Sequence, residues 1–322
     1  MGDAGHSSID PLQASLQVAL DRAKLAPELT SVVMLGDNIY YFGFPNKDED
    51  QTEYTDSQLE DISHLEAQLQ IAKHSGAEIF VVPGNHDWYA EQVDSQAQYI
   101  EDYASTHNIK AHFVPHQLEQ DPLPEIIHRE SVSIIFIDSM WLIKADDEQY
   151  QKALSTLNQL MLEARQQYPD NLILVTAHHP IETMGPHNRY YTSFAYHAFI
   201  ATVELFMEND QDTDHPRYQR MITGLEQSLA QFDKVVFAAG HDHNLQIFKS
   251  PEDKAPEYRL VSGAANTSKI TGVGTNENSQ FALAREGLME MEIYDNGILL
   301  NVYAIDQTQP VHQQWLWQSP AQ

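Results

Sequence analysis

Seven side chains of metal-ligand type punctuate this chain: Asp3, Asp37, Tyr40, Asn85, His178, His241 and His243. They fall in short motifs: Gly2-Asp3-Ala4-Gly5, Gly36-Asp37-Asn38-Ile39-Tyr40, Gly84-Asn85-His86-Asp87, Ala177-His178-His179-Pro180 and Gly240-His241-Asp242-His243. An isolated His187 stands between the last two. Each motif lies at or near the end of an apolar run, where an open α/β sheet places its ligands. A Gly-Asp or His-x-His pair alone is common; the ordered series is what carries information. It suits a centre that cleaves phosphate esters with two cations about 3.5–4 Å apart, one bridging ligand and a metal-bound hydroxide attacking in line.

Asp37 is the natural bridge, because a carboxylate has two oxygens and this one follows the clearest strand pattern, residues 31 to 35. Tyr40, three residues on, can bend back to the same ion. Asn85, His178 and His241 are neutral donors for the second ion. His243 can face the opposite ion, since side chains alternate along an extended loop. The first ion then receives Asp3, Asp37, a Tyr40 phenolate and neutral His243, and the second shares Asp37 with neutral ligands only. Anionic oxygens suit a trivalent ion, and the neutral set suits divalent Zn, Fe or Mn. A trivalent ion pulls the pKa of coordinated water below the value of about 7 reached on zinc, so turnover in acid is expected.

These motifs resemble those of the purple acid phosphatases in the calcineurin-like metallophosphoesterase superfamily. Gly-Asp-Asn-Ile-Tyr-Tyr-Phe-Gly and Gly-His-Asp-His-Asn-Leu-Gln are especially similar to the small tartrate-resistant branch. The resemblance spans residues 2 to about 270. Most metallophosphoesterases carry Asp-x-His at the first motif; here position 5 is Gly, and Tyr40 would replace the lost ligand. The resemblance implies that Asp37 bridges, that Asp3, Tyr40 and His243 hold Fe(III), and that Asn85, His178 and His241 hold the divalent ion. It also implies a four-layer αββα sandwich of two mixed sheets flanked by helices. His86 and His187 match family residues near the phosphate, so either is a candidate to protonate the leaving oxygen, with Asp87 orienting His86.

Other residues receive plainer readings. His6 could compete for the first ion, and Tyr41 is the rival of Tyr40. His64, His179, His197 and His215 read as core or surface histidines. Tyr190, Tyr191, Phe194, Tyr196 and Phe199 read as packing, and Asn266 as a turn residue. The insert from 183 to 215 is expected to rim the pocket.

The net charge of −29, from 18 basic and 47 acidic residues, disfavours nucleic acid and anionic membrane surfaces as partners. Hydrophobic content of 42% and charged content of 20% describe a globular chain of 322 residues, and no run has the length of a spanning helix. The absence of cysteine excludes disulfides and thiolate sites. The expected partner is a small phosphate ester, a phosphoprotein or nucleotide included. A phosphodiesterase or nucleotide hydrolase on the same metals is the nearest alternative, and a binding protein without catalysis is the next. Met1 stands so close to Asp3 that the strand expected before it is missing. Export is therefore expected if a leader precedes these residues, and a cytoplasmic home otherwise.

The elements that must position these ligands follow from periodicity. Apolar spacing predicts helices at 12 to 25, 56 to 74, 91 to 107, 146 to 167 and 217 to 231, alternating with strands at 31 to 35, 78 to 82, 132 to 137, 172 to 176 and 234 to 238. Short strands follow at 245 to 248, 258 to 262, 287 to 294 and 298 to 303, the last two joined by a turn at Asp295-Asn296-Gly297. One domain over 1 to 306 is expected, with 307 to 322 as a tail docked by Trp315 and Trp317.

Overall fold

Short β-branched runs closed by Gly-Asp or Pro-Gly form the parallel strands that end at the candidate ligands. A computed structural model describes residues 1–47, 51–115, 120–188, 210–251 and 256–318. In it Ser31–Leu35 (β1), Glu78–Val82 (β2) and Ala111–Phe113 (β3) make one parallel sheet. A seven-stranded mixed sheet is built from Glu125–His128 (β4), Val132–Phe136 (β5), Leu172–Thr176 (β6), Val235–Ala239 (β7), Leu245–Lys249 (β8), Tyr258–Ser262 (β9) and Ser279–Leu283 (β10), in the order β10-β8-β9-β7-β6-β5-β4. Its centre, β5-β6-β7-β9, is parallel, and β4, β8 and β10 run antiparallel to their neighbours. Gly287–Tyr294 (β11), Gly297–Ala304 (β12) and His312–Gln318 (β13) form an antiparallel sheet.

Helices cover both outer faces. Ala14–Ala23 (α1), Asp56–Ser75 (α2) and Val93–His107 (α3) pack over β1–β3 through residues such as Leu16, Leu65, Leu69, Ile79 and Ile100. Ser139–Lys144 (α4), Asp147–Gln167 (α5) and Pro216–Leu229 (α6) cover the large sheet through Leu157, Met161, Met221 and Leu225. A third apolar layer lies between the sheets, where Phe80, Val82, Phe136, Val236, Ile247 and Leu300 meet. The fold is therefore a mixed α/β one with sheets flanked by helices, as expected. Local signals set the helix ends: Thr55 and Gln58 form a capping box on α2, Asp146 and Gln149 another on α5, and Pro216 opens α6.

Several segments differ from the periodicity reading. β3, β4, β10 and α4 are too short for their pattern to stand out, and β10 alternates little between buried and exposed positions. Residues 312–318, expected as part of a docked tail, instead extend the third sheet along β12, where alternate positions pack and the pairing register shifts between Ile298 and Leu299. Asp3 is held by backbone hydrogen bonds of the residues beside it. Met1 N–H and Leu35 N–H link residues 1–3 to β1, while Gly2 N–H donates to Ser262 O at 2.8 Å and Gly2 O accepts from Ala265 N–H at 3.2 Å. Those bonds lay the segment between β1 and the end of β9.

Phe136 is fully buried between the sheets and packs on Phe80 with centroids 5.1 Å apart. Phe136→Ala is expected to lower stability by about 3–5 kcal/mol, read as a lower urea midpoint at unchanged m-value.

Candidate metal centre

Four parallel strands deliver the site. β1 leads to Asp37, β2 to Asn85, β6 to His178 and β7 to His241, so their C-terminal ends share one crevice. The loops leave the strands sharply. Asp3, Asp37 and His241 hold φ values of 65°, 55° and 70°, a left-handed region that costs a non-glycine residue roughly 1–3 kcal/mol. Three such residues in one crevice mark a place where ligand position outranks backbone comfort. Gly36, at φ 89°, permits the close approach of His178, whose Nδ1 lies 2.5 Å from where a Cβ would stand.

Two groups of ligand atoms result. In the first, Tyr40 Oη lies 3.1 Å from Asp3 Oδ1 and 3.2 Å from His243 Nε2, and His243 Nε2 is 3.3 Å from Asp3 Oδ1. Asp37 belongs with them: its carboxylate, that of Asp3 and the His243 ring nitrogen all lie within 4.8 Å of one another. In the second, His178 Nε2 lies 3.0 Å from Asn85 Oδ1, 3.2 Å from His241 Nδ1 and 3.4 Å from Asp37 Oδ1. The structure thus brings all seven candidate ligands together, with Asp37 common to both groups.

Proton accounting tests whether cations fit. His178 Nδ1 faces the Leu35 carbonyl at 2.8 Å, and a carbonyl only accepts, so that nitrogen carries the hydrogen. By the same reasoning His241 donates through Nε2 to Gln211 O at 3.1 Å, and Asn85 Nδ2 donates to Tyr89 Oη at 2.7 Å. With both imidazoles neutral, what remains is His178 Nε2, His241 Nδ1 and Asn85 Oδ1, three acceptors aimed at one another. A cation satisfies that geometry. The first group is joined by a proton instead: the Tyr40 hydroxyl donates to Asp3 Oδ1 at 3.1 Å, so a cation bound there takes that hydrogen's place. Burial works against a positive His243, yet the hydrogen bond and charge of Asp3 outweigh it and raise its pKa. Burial would raise the Asp37 carboxyl, but the charges of His178 and His86 and the His86 N–H hold it below its usual range. Burial, then the charges of Asp3 and Asp37, push the Tyr40 phenol far up, so only a strong cation among these same atoms would make it a phenolate.

The position-5 glycine has a steric cause. A Cβ on Gly5 would meet Tyr40 N at 2.7 Å and Asp37 O at 2.8 Å, and Gly5 O accepts from Tyr40 N–H at 3.1 Å. The backbone of the loop carrying Tyr40 fills the space a side chain at position 5 would need, so this loop path requires glycine there.

The two candidate substrate histidines flank the groups. His86 gives its Nδ1–H to Tyr41 O at 2.7 Å and turns Nε2 toward Asp37 Oδ2, 3.9 Å away. His187 stacks on His241 with centroids 3.8 Å apart, and its Nδ1 lies 3.2 Å from Asp212 Oδ1. Burial opposes its protonation, but Asp212 and Asp242 outweigh burial and raise its pKa.

Some expectations are corrected. Asp87 does not orient His86; its carboxylate accepts from Gly84 N–H at 2.7 Å, Asn38 Nδ2 at 3.0 Å and Gln96 Nε2 at 3.1 Å, tying the Asp37 and Asn85 loops together. Burial and the Asp37 charge raise Asp87 to about 7. His6 packs its ring 5.1 Å from that of Tyr40 rather than among the ligand atoms. Tyr41 is 55% exposed, so Tyr40 is the inward residue. His179 is buried with both nitrogens engaged, by Ser139 Oγ and Gln211 Oε1, and burial keeps it neutral. His64 bonds Ser7 O, His215 caps α6 and Asn266 caps the turn at Thr267–Lys269, each a structural duty as read. His197 and the aromatic run Tyr190, Tyr191, Phe194, Tyr196 and Phe199 lie outside the described residues. The described ends of the 183–215 insert do border the site: Asp242 accepts from Thr183 and His187 N–H, while Gln211 and Asp212 touch His241 and His187. Gln211 and Asp212 were missed because their role depends on a chain return; the only signal was an acidic run from 208 to 214.

The calcineurin-like phosphoesterase family model, Metallophos, matches residues 6–245. Among solved structures the chain is similar to GAP50, described as the anchor in the inner membrane complex of Plasmodium, at 16% identity over 99% of this chain and 87% of that one, with a TM-score of 0.60. It is also similar to PhoD, at 13% identity over 100% of this chain and 71% of the other, with a TM-score of 0.52. At such identities the likeness shows the fold alone. No curated protein matches the sequence.

Chelator-treated protein given Zn²⁺ at about 100 times its Kd is expected to gain roughly 2.7 kcal/mol of stability. The accompanying rise in melting temperature should shrink in His241→Ala; an equal rise in both proteins would show that zinc binds elsewhere.

Proposed function

This chain belongs to the calcineurin-like phosphoesterase family, and on that premise we propose that it hydrolyses phosphate monoesters in the manner of a purple acid phosphatase. The observation that carries this reading is the position of Tyr40: its Oη sits between Asp3 Oδ1 and His243 Nε2, inside the group that shares Asp37 with the neutral set. Asp3, Asp37, Tyr40 and His243 would hold Fe(III), the ion that best matches two carboxylates and a phenolate. Asn85, His178 and His241, sharing Asp37, would hold a divalent ion, Zn, Fe or Mn. When bound, the pair supplies Lewis acidity to the phosphoryl oxygens and acidifies the attacking water.

The protein's own residues do the rest. The carbonyls of Leu35, Gln211 and Lys269 fix which nitrogen each ligand histidine presents. His187, backed by the Asp212 carboxylate and stacked beside His241, is placed to give a proton to the leaving oxygen. His86, anchored through Nδ1 to the Tyr41 carbonyl, offers Nε2 on the other side of Asp37 and orients the phosphoryl group. The close packing of the Gly36, Gly84 and Gly240 backbones around Asp37, His178 and Asp3 leaves the ligands little room to relax.

Elemental analysis of purified protein is expected to find iron together with a divalent metal, with a visible tyrosinate-to-iron absorption band that disappears in Tyr40→Phe. Colourless, iron-free but active protein would refute the Fe(III) assignment. Turnover of p-nitrophenyl phosphate is expected to exceed that of its bis-ester; the reverse would make the protein a phosphodiesterase on the same scaffold.

The proton-donor role of His187 predicts a dependence on the leaving group. His187→Ala should lose about 10²–10⁴-fold in kcat on an alkyl phosphate, whose alkoxide must be protonated, and far less on p-nitrophenyl phosphate. Equal losses on both esters would reassign His187 to binding.

A further inference from the structure

With a net charge of −29 and two carboxylates at the heart of the site, an incoming phosphate dianion meets repulsion until it reaches local positive charge. The ligand oxygens of Asp3, Asp37 and Tyr40 already consume much of what bound ions would bring. A further cation stands beside them. The short turn Thr267–Lys269, after β9, is fixed to the centre by its own backbone, because Lys269 O accepts from His243 Nδ1 at 2.8 Å. Its side chain folds back over the same site. The Lys269 ammonium lies 3.4 Å from the centroid of the Tyr40 ring and 4.3 Å from that of Tyr41.

These contacts hold the charge in place without neutralising it. Tyr40 is buried and Tyr41 exposed, so the ammonium spans the boundary between the ligand group and solvent. Among the described residues it has no carboxylate at ion-pair distance and no hydrogen-bond acceptor; burial lowers its pKa, and the Asp37 and Asp3 charges oppose that from farther away. Ring faces attract an ammonium without neutralising it, and two rings face at most two of its three N–H bonds, so at least one donor is left for an anion. A lysine held this way is a point charge for phosphate.

We propose that Lys269 is a substrate-binding residue of this centre, donating to a non-bridging phosphoryl oxygen and favouring the doubly charged monoester over the singly charged diester. The proposal rests on the phosphoesterase reading above and adds the group that sets ester class. A dianion gains more from one added positive charge at a fixed place than a monoanion does, because Coulomb energy scales with the product of charges.

The test uses metal-loaded wild type with Lys269→Met, which keeps an unbranched stem against Tyr40 without the charge, and Lys269→Arg, which restores the charge. Inorganic phosphate is titrated into each by calorimetry, while p-nitrophenyl phosphate and bis(p-nitrophenyl) phosphate turnover are followed in parallel. In Lys269→Met, phosphate binding is expected to weaken by about tenfold and KM for the monoester to rise by a similar factor. KM for the diester should change by less than about twofold, and Lys269→Arg should recover most of the loss. Metal content and melting temperature are measured for every protein, and if Lys269→Met loses either, Lys269→Gln takes its place. Unchanged phosphate affinity together with an unchanged monoester-to-diester ratio in a metal-loaded neutral variant overturns the proposal. Failure of the underlying reading looks different: wild type itself would bind no metal or turn over neither ester.

Discussion

Acceptors aimed at acceptors govern this molecule. His178 Nε2, His241 Nδ1 and Asn85 Oδ1 converge within 3.2 Å of the His178 nitrogen, and Asp3, Asp37, Tyr40 and His243 crowd together beside them. Buried lone pairs that face one another are costly unless a positive charge sits between them. The surrounding chain is arranged to keep them so. Each candidate ligand histidine turns one ring nitrogen to a backbone carbonyl, and those carbonyls come from Leu35, Gln211 and Lys269, three distant parts of the chain. The ligand set is thus specified by the fold's backbone as much as by its own side chains.

That dependence explains the backbone strain and the glycines. Asp3, Asp37 and His241 adopt left-handed φ values where glycine would be easier, since glycine could not supply the ligand atom. Glycine appears next to them instead, where backbone must approach a ligand closely. The Gly5 and Tyr40 pair shows how tightly such choices are linked. The backbone of the tyrosine loop passes through the volume a side chain at position 5 would occupy, so the path that carries Tyr40 to the site leaves room only for glycine there.

Charge is organised on two scales. Across the surface the protein is strongly acidic, which serves solubility and repels anions. At the site, carboxylates demand cations, the Asp212 and Asp242 carboxylates support a positive His187, and Lys269 is pinned on the tyrosine rings. Asp87 plays a different part despite its place beside His86. With three donors converging on it from the Asp37 and Asn85 loops and a fourth, Gln96, from α3, it acts as a clamp that ties those loops together.

Read alone, the residues pointed to a calcineurin-like phosphoesterase and to most of its strands and helices, and they proposed a ligand set. Residue types such as Asp37, Tyr40, Asn85 and the Gly-His-Asp-His run name a ligand set, and alternating apolar runs of period 2 and 3.6 name the strands and helices that bear it. Such signals are local, so they survive without coordinates. Elements too short for a periodic signal, such as β3, β10 and α4, were not legible, nor was the pairing of residues 312–318 with β12, whose partner lies across a turn. Only the tertiary structure decided which nitrogen each histidine presents, that Asp87 clamps loops rather than steering His86, and that Asp212 and Lys269 reach the site at all. Those outcomes depend on where a carbonyl or a returning loop happens to stand in space, and contacts between residues far apart in the chain leave no trace in the spacing along it.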